Sequence, residues 1–193
     1  KIELPRGFQL LATLKDSIDP DVKKTAIYAQ KRGLSEGTQW RFRIGTCNLG
    51  RFRRRLIIPS FDGSGNLNYF VGRSVDFNNF PKYMNAKVPK KQVIFNEIDI
   101  DWQQPLVLVE GPLDLVKCSM NATCLLGSHI DETYNLFQKI ILNNTPVVLA
   151  LDPDAMKKTQ KIAKLFYQWD ISVKVAKIPA DSDVGDMSPL EFV

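Results

Sequence analysis

The 193 residues are 44% hydrophobic and 24% charged, enough apolar material for one large or two small folded domains and too much for a disordered chain. No apolar run is long enough to cross a bilayer, and Lys1 opens the chain without the charged-then-apolar pattern of a secretory signal. The net charge of +5 is unevenly spread: residues 1–104 hold 18 Lys and Arg against 10 Asp and Glu, whereas residues 105–193 hold 8 against 11, a pattern that suits either a polyanion-binding front joined to a metal-binding back or simply a solvated charged surface.

In chain order, residues 8–18 (FQLLATLKDSI) and 21–32 (DVKKTAIYAQKR) read as short helices, the second amphipathic through Val22, Ala26 and Ala29 and stopped by Gly33. Ser35 is placed to cap a further turn reaching Trp40, and RFRIG after it alternates like a strand. Leu56–Ile58 and Leu67–Val71 flank DGSGN, a hairpin signature. Arg51, Arg53, Arg54 and Arg55 crowd the start of that hairpin and Arg73 closes it. An arginine run of this kind is either a solvated face or, interleaved with Phe52, a phosphate-binding surface. Next, PKYMNA supplies Lys82, Tyr83 and Asn85, a cation, a ring and an amide suited to phosphate, base face and base edge. QVIFNEIDIDWQQP reads as a short strand or turn and a connector, with a boundary near residue 104. Beyond it strands and helices alternate: strand 106–110, helix 112–120, strand 122–127, helix 131–143, strand 146–152, helix 153–169, strand 172–178. That alternation predicts an α/β fold with a mostly parallel sheet flanked by helices, preceded by a smaller basic α+β subdomain.

Two of these strands end alike. LVLVEGPLD delivers Glu110 at the end of an apolar run, and VVLALDPD delivers Asp152 and then Asp154, each acid followed closely by a proline able to open a helix. Ligands of parallel sheets gather beyond the carboxyl ends of the strands, so Glu110, Asp152 and Asp154 are expected in one crevice, with Asp114 one helical turn after Glu110. Asp152 also fits a plain helix cap, and Asp114 a plain first-turn charge. Glu110 has no such alternative, because an unpaired carboxylate is costly to bury. Clustered acids take up protons unless a cation holds them ionised, and oxygen ligands favour Mg²⁺ or Mn²⁺ over zinc. Zinc is disfavoured independently: Cys47, Cys118 and Cys124 form no CxxC, and His129, read here as structural, is the one histidine. Three scattered cysteines fit a reducing compartment and no disulfide framework.

The quoted blocks LVEGPLDLV, LALDPDAMKKTQKIA and RLIIPSFDGSGNLNYFVGRSV with PKYMNA resemble the catalytic core of bacterial- and phage-type (DnaG-like) DNA primases. The resemblance runs from about YAQKRGLS onward and is most specific in the hairpin and PKYMN blocks. It implies a Toprim-type, Rossmann-like domain over 105–193 and a basic nucleic-acid-binding subdomain over 1–104. It further implies a metal-dependent primase activity with Glu110, Asp152 and Asp154 catalytic. Asp114 and Asp183 join them as metal ligands, with Asp186 the alternative to Asp183, and Arg55, Arg73, Lys82, Tyr83 and Asn85 meet template or nucleotide. The implied partners are single-stranded DNA, ribonucleoside triphosphates and a replicative helicase, in the cytoplasm of a bacterial or phage-infected cell. Ala155 and Met156 stand where the family often has Ala-Gly. Neither the zinc-binding module that precedes the family's core nor a helicase phosphate loop is present, and the start at Lys1 without Met suggests a piece of a longer protein. Two alternatives remain at this stage: another Toprim enzyme, a nuclease or topoisomerase, or a non-catalytic nucleic-acid-binding module.

Overall fold

A computed structural model describes residues 2–176. The chain divides into two compact units, Lys1–Phe61 with Gly65–Lys87 and Asp62–Ser64 with Val88–Val193.

The first unit is built on a five-stranded antiparallel sheet in chain order: β1 (Phe8–Leu10), β2 (Gly45–Cys47), β3 (Arg55–Phe61), β4 (Leu67–Ser74) and β5 (Tyr83–Asn85). The hairpin expected around DGSGN is the β3–β4 pair, in register from Arg55↔Ser74 to Phe61↔Leu67 with a bulge at Ser60/Phe61. Helix α1 (Pro20–Lys31) matches the expected span. Asp19 caps it by accepting from the Asp21 N–H at 2.8 Å, Pro20 supplies its first turn, and Gly33 at φ +69° ends it. Ser35 likewise caps the short α2 (Glu36–Arg41), accepting from the Thr38 N–H.

Two expectations fail here. Residues 8–18 are not a helix: Phe8–Leu10 pairs with β2, and only a single 3-10 turn follows at Leu11–Thr13. The pairing outweighs local propensity because Gly45 lets the edge strand approach. A Cβ on Gly45 would stand 2.3 Å from the Phe8 ring and 2.4 Å from the Gln9 carbonyl oxygen, so no other residue fits. Nor is RFRIG a strand, since Arg41 ends α2 and Arg43 turns the chain at φ +51° before β2 begins.

In the second unit β6 (Leu106–Val109), β7 (Ala122–Cys124), β8 (Val147–Ala150) and β9 (Val173–Val175) form an all-parallel sheet in the order β7-β6-β8-β9. Leu106, Leu108, Val147 and Leu149 join one core with Leu136, Phe137 and Ile140 of α4 (Asn135–Asn143) and Ile162, Ala163 and Phe166 of α5 (Met156–Tyr167). The Phe137 and Phe166 rings stack at 5.2 Å. The helix expected over 112–120 is one turn only, α3 (Pro112–Leu115).

Segment 88–104 goes with this second unit, which puts the division near residue 87 and not near 104. Ile94 is buried in the second core, Ile100 and Trp102 pack against it, and the Phe95 and Trp102 carbonyls accept from the Thr123 and Thr145 hydroxyls at 2.6 and 2.7 Å. Such anchoring is not visible in a stretch that lacks strand or helix periodicity.

Because Phe166 is fully buried against Phe137, Phe166→Ala should lower stability by about 3–5 kcal/mol. A urea titration of the variant checks this, and an unchanged midpoint would mean that the α4–α5 contact does not hold the core.

Candidate active site and nucleic-acid surface

Strands β6 and β8 are adjacent and parallel, with Val109 opposite Ala150, so the residues that follow them leave the same edge of the sheet. Glu110 comes directly after β6 and is half-buried. After β8, Leu151 is buried and Asp152 half-buried with its Oδ1 shielded from solvent, while Asp154 lies exposed in the 3-10 turn Pro153–Ala155. The Glu110 carboxyl is pushed above the usual carboxylate range, first by burial and then by the negative charge of Asp152. Lys158 opposes that rise and Asp154 adds to it, so both acids expected beside Glu110 act on it.

Asp114 has a visible structural task. Its Oδ2 accepts the Gly111 N–H at 2.9 Å, closing the first turn of α3. Asp183 and Asp186 lie outside the described residues. Among the described residues no group of three or more His, Cys, Asp or Glu side chains is arranged to hold a metal ion. Two half-buried carboxylates with a third in electrostatic reach do not make a cage. They do suit Mg²⁺ or Mn²⁺ of the kind that keeps most of its waters, rests on one or two carboxylates and completes its shell with substrate phosphates. The repulsion that raises Glu110 is what such an ion would relieve.

Sequence reasoning missed Lys158 and gave Ser128, which follows the strand read at 122–127 at the same sheet edge, no role. Lys158 donates to the Ser128 hydroxyl at 2.6 Å while opposing the charge on Glu110. Ser128 sits in the loop after β7, which turns through Leu126 and Gly127 at φ +55° and +141°. That loop is tied down by the Gly127 N–H donating to the Glu110 carbonyl at 3.1 Å and by Lys90 Nζ donating to the Leu126 carbonyl at 2.6 Å. The signal available was spacing, since Lys158 follows Asp154 by four residues. His129 faces Asp131 at 3.1 Å and the edge of the Tyr134 ring, a local contact.

In the first unit the arginine run is largely spent within the protein. Arg53 donates to Asp21, Arg54 pairs with Asp76 at 2.7 Å, and Arg51 lies over the Phe52 ring. Arg55, expected to meet template or nucleotide, is 2% exposed, and its guanidinium donates to the Gly72, Lys82 and Pro81 carbonyls. It braces the sheet from inside and is not a surface cation. The alternation along RLIIP hid this, because Arg55 shares a face with Ile57, which joins Phe52, Phe70 and Cys47 in the core of this unit.

Three of the remaining expected contacts share the other face. Arg73 pairs with Tyr83 and Val71 with Asn85 across β4 and β5, which puts Arg73, Tyr83 and Asn85 on one face. The Arg73 guanidinium lies 4.7 Å from the Tyr83 ring centre, and Arg73 Nε and Asn85 Oδ1 are buried without a hydrogen-bond partner. Lys82 is exposed.

The fold has solved counterparts. In fold the chain is similar to the DnaG primase catalytic core: it superimposes on the DnaG primase catalytic domain bound to ssDNA with a TM-score of 0.72 at 21% identity, over 93% of this chain and 74% of that one. The Escherichia coli primase catalytic core gives 0.68 at 20% identity, over 91% and 71%. Among curated proteins the chain is similar to the DNA primase of Listeria innocua, 26% identical over 149 residues. It is also similar to that of Halalkalibacterium halodurans, 29% identical over 150. Both alignments cover 70% of this chain, and it spans 24% of the length of these relatives. No protein-family model matches it.

A carboxyl raised by burial and like charge destabilises the folded state once it ionises. Folding stability therefore falls as pH rises from the ordinary glutamate value of 4.5 through the higher folded value. In chelator, Glu110→Gln should melt above the wild type at pH 7, with the gain shrinking toward pH 4.5. A melting difference that ignores pH would refute the strained Glu110.

Proposed function

We propose that this chain carries the nucleotidyl-transfer centre of a DNA-dependent RNA primase, in which a 3′-hydroxyl attacks the α-phosphorus of a ribonucleoside triphosphate and pyrophosphate leaves. The observation behind this reading is the β6–β8 register, which sends Glu110 and Asp152 off the same edge of a primase-like parallel sheet. The second unit is then a Toprim domain, with Glu110, Asp152 and Asp154 the residues that would hold Mg²⁺ or Mn²⁺, joined by Asp183. A divalent ion there supplies a lowered hydroxyl pKa and neutralises the triphosphate. The chain's own part is to position: Glu110 and Asp152 fix one end of the reacting groups from rigid strand ends, and Lys158 offers a cation to phosphate oxygens beside them. The basic first unit guides single-stranded template through Arg73, Lys82, Tyr83 and Asn85. That the similar DnaG primase catalytic domain is bound to ssDNA supports this assignment. A replicative helicase and a separate zinc-binding module complete the machine, in the cytoplasm of a bacterium or of a phage-infected host.

The direct test incubates the chain with single-stranded template, labelled ribonucleotides and Mn²⁺. Oligoribonucleotides are expected, and Asp152→Ala with Asp154→Ala should abolish them together with calorimetric Mn²⁺ binding. Strand breaks would make the protein a Toprim nuclease, and binding with neither product would make it a binding module. Lys82→Ala should weaken single-strand binding alike for all sequences and flatten the salt dependence by about 0.7 ion. An unchanged slope removes Lys82 from the template path.

A further inference from the structure

The segment joining β4 to β5, residues 75–82 (VDFNNFPK), presents two phenylalanines to solvent: Phe77 is 98% and Phe80 81% exposed. Single exposed apolar side chains are ordinary and need no explanation. Two bulky rings three positions apart on one short loop are not, and this loop is held at both ends. At its start, Asp76 accepts from Arg54 at 2.7 Å and from Lys24 at 2.8 Å, and its backbone exchanges hydrogen bonds with the Ser74 hydroxyl at 3.2 Å. At its end, the Ser74 N–H donates to the Lys82 carbonyl at 2.9 Å, and buried Arg55 donates to the Pro81 and Lys82 carbonyls. The arginines drawn inward from the run are therefore the roots of the loop that carries the rings.

The surroundings say what the rings would meet. Within this unit, the sequence from Phe77 to Lys87 holds Lys82 and Lys87 and no acid. The loop leads straight into Tyr83, 42% exposed, with the Arg73 guanidinium over its ring. Exposed aromatic rings beside cations, with the one adjacent carboxylate, Asp76, already paired with Arg54 and Lys24, are the chemistry that single-stranded nucleic acid takes. The cations track phosphates while successive bases stack on the rings, whatever the sequence. An acidic protein surface would satisfy the lysines but would leave two rings needing an apolar pocket.

We propose that Phe77 and Phe80 form a base-stacking platform for single-stranded nucleic acid, continuous with Tyr83. The proposal rests on the template-guiding role given above to the first unit and adds the residues that grip bases there. Phe77 and Phe80 are substrate-touching residues; Arg54, Arg55 and Asp76 are positioning residues that hold the platform.

The test uses the 193-residue chain and fluorescence anisotropy of a labelled oligothymidylate and of an equally long abasic strand, each at several salt concentrations. Phe77→Ala with Phe80→Ala should lower affinity for oligothymidylate on the order of tenfold or more. The salt slope should not change, since no charge is lost, and abasic-strand affinity should stay as in the wild type. Phe77→Trp with Phe80→Trp should restore binding, and circular dichroism melts should match because neither ring is packed. Undiminished oligothymidylate affinity in the double alanine variant overturns the proposal and gives the rings to a protein partner. An equal loss for the abasic strand overturns stacking in favour of loop geometry, and a wild type that binds neither strand overturns it as well. Failure to make RNA alongside ring-dependent binding would sink only the primase reading, whereas RNA synthesis with ring-independent binding would sink only the platform.

Discussion

The parallel pairing of β6 with β8 is the constraint on which the second unit depends. With Val109 opposite Ala150, both strands run out at the same level, and the chain must emerge from each into the same small volume. Strand interiors of this kind are apolar throughout, so the first polar residue after each run sits where hydration is already partial. Glu110 is therefore held half-desolvated beside Asp152, and its proton affinity rises for both reasons. Shifting either strand by one residue would turn its core set, Leu106 and Leu108 or Val147 and Leu149, away from Phe137 and Phe166, so the core that stabilises the sheet also holds the acids together.

That strain is partly answered from within. Lys158 reaches from the first turns of α5 to Ser128 and moderates the field at Glu110, while the loop carrying Ser128 is stitched to the Glu110 carbonyl and to Lys90. Asp114 serves the first turn of α3. A site of this composition is suited to substrates that bring their own negative charge with their own counter-ions. It offers few fixed ligands, one lysine and a rigid floor of strand ends.

The first unit divides its cations by a different rule. A guanidinium carries five donors in a planar fork, so once buried it must find several acceptors, and Arg55 finds three carbonyls around the β4–β5 connection. Arg53 and Arg54 settle on the carboxylates of buried Asp21 and half-buried Asp76. Net basic charge in the sequence thus overstates what is left for a polyanion: Lys82 still faces outward, while Arg73 is half-buried against the Tyr83 ring.

Wherever the determinants were local, the sequence was sufficient. The caps at Asp19 and Ser35, the DGSGN hairpin and the apolar strands ending in Glu110 and Asp152 lie within a few residues of the structure they specify, as does the alternation that announces a parallel sheet. What depended on partners distant in the chain was decided only in the tertiary structure. Phe8–Leu10 became a strand because β2 offers an edge across Gly45, and 88–104 joined the second unit because Thr123 and Thr145 reach its carbonyls. Arg55 turned inward because the carbonyls of residues 72, 81 and 82 converge behind it. Propensity and pattern act over one turn or one strand, whereas burial and hydrogen-bond satisfaction are settled among residues tens of positions apart. An arginine in a basic run therefore looks the same in sequence whether it faces water or the core.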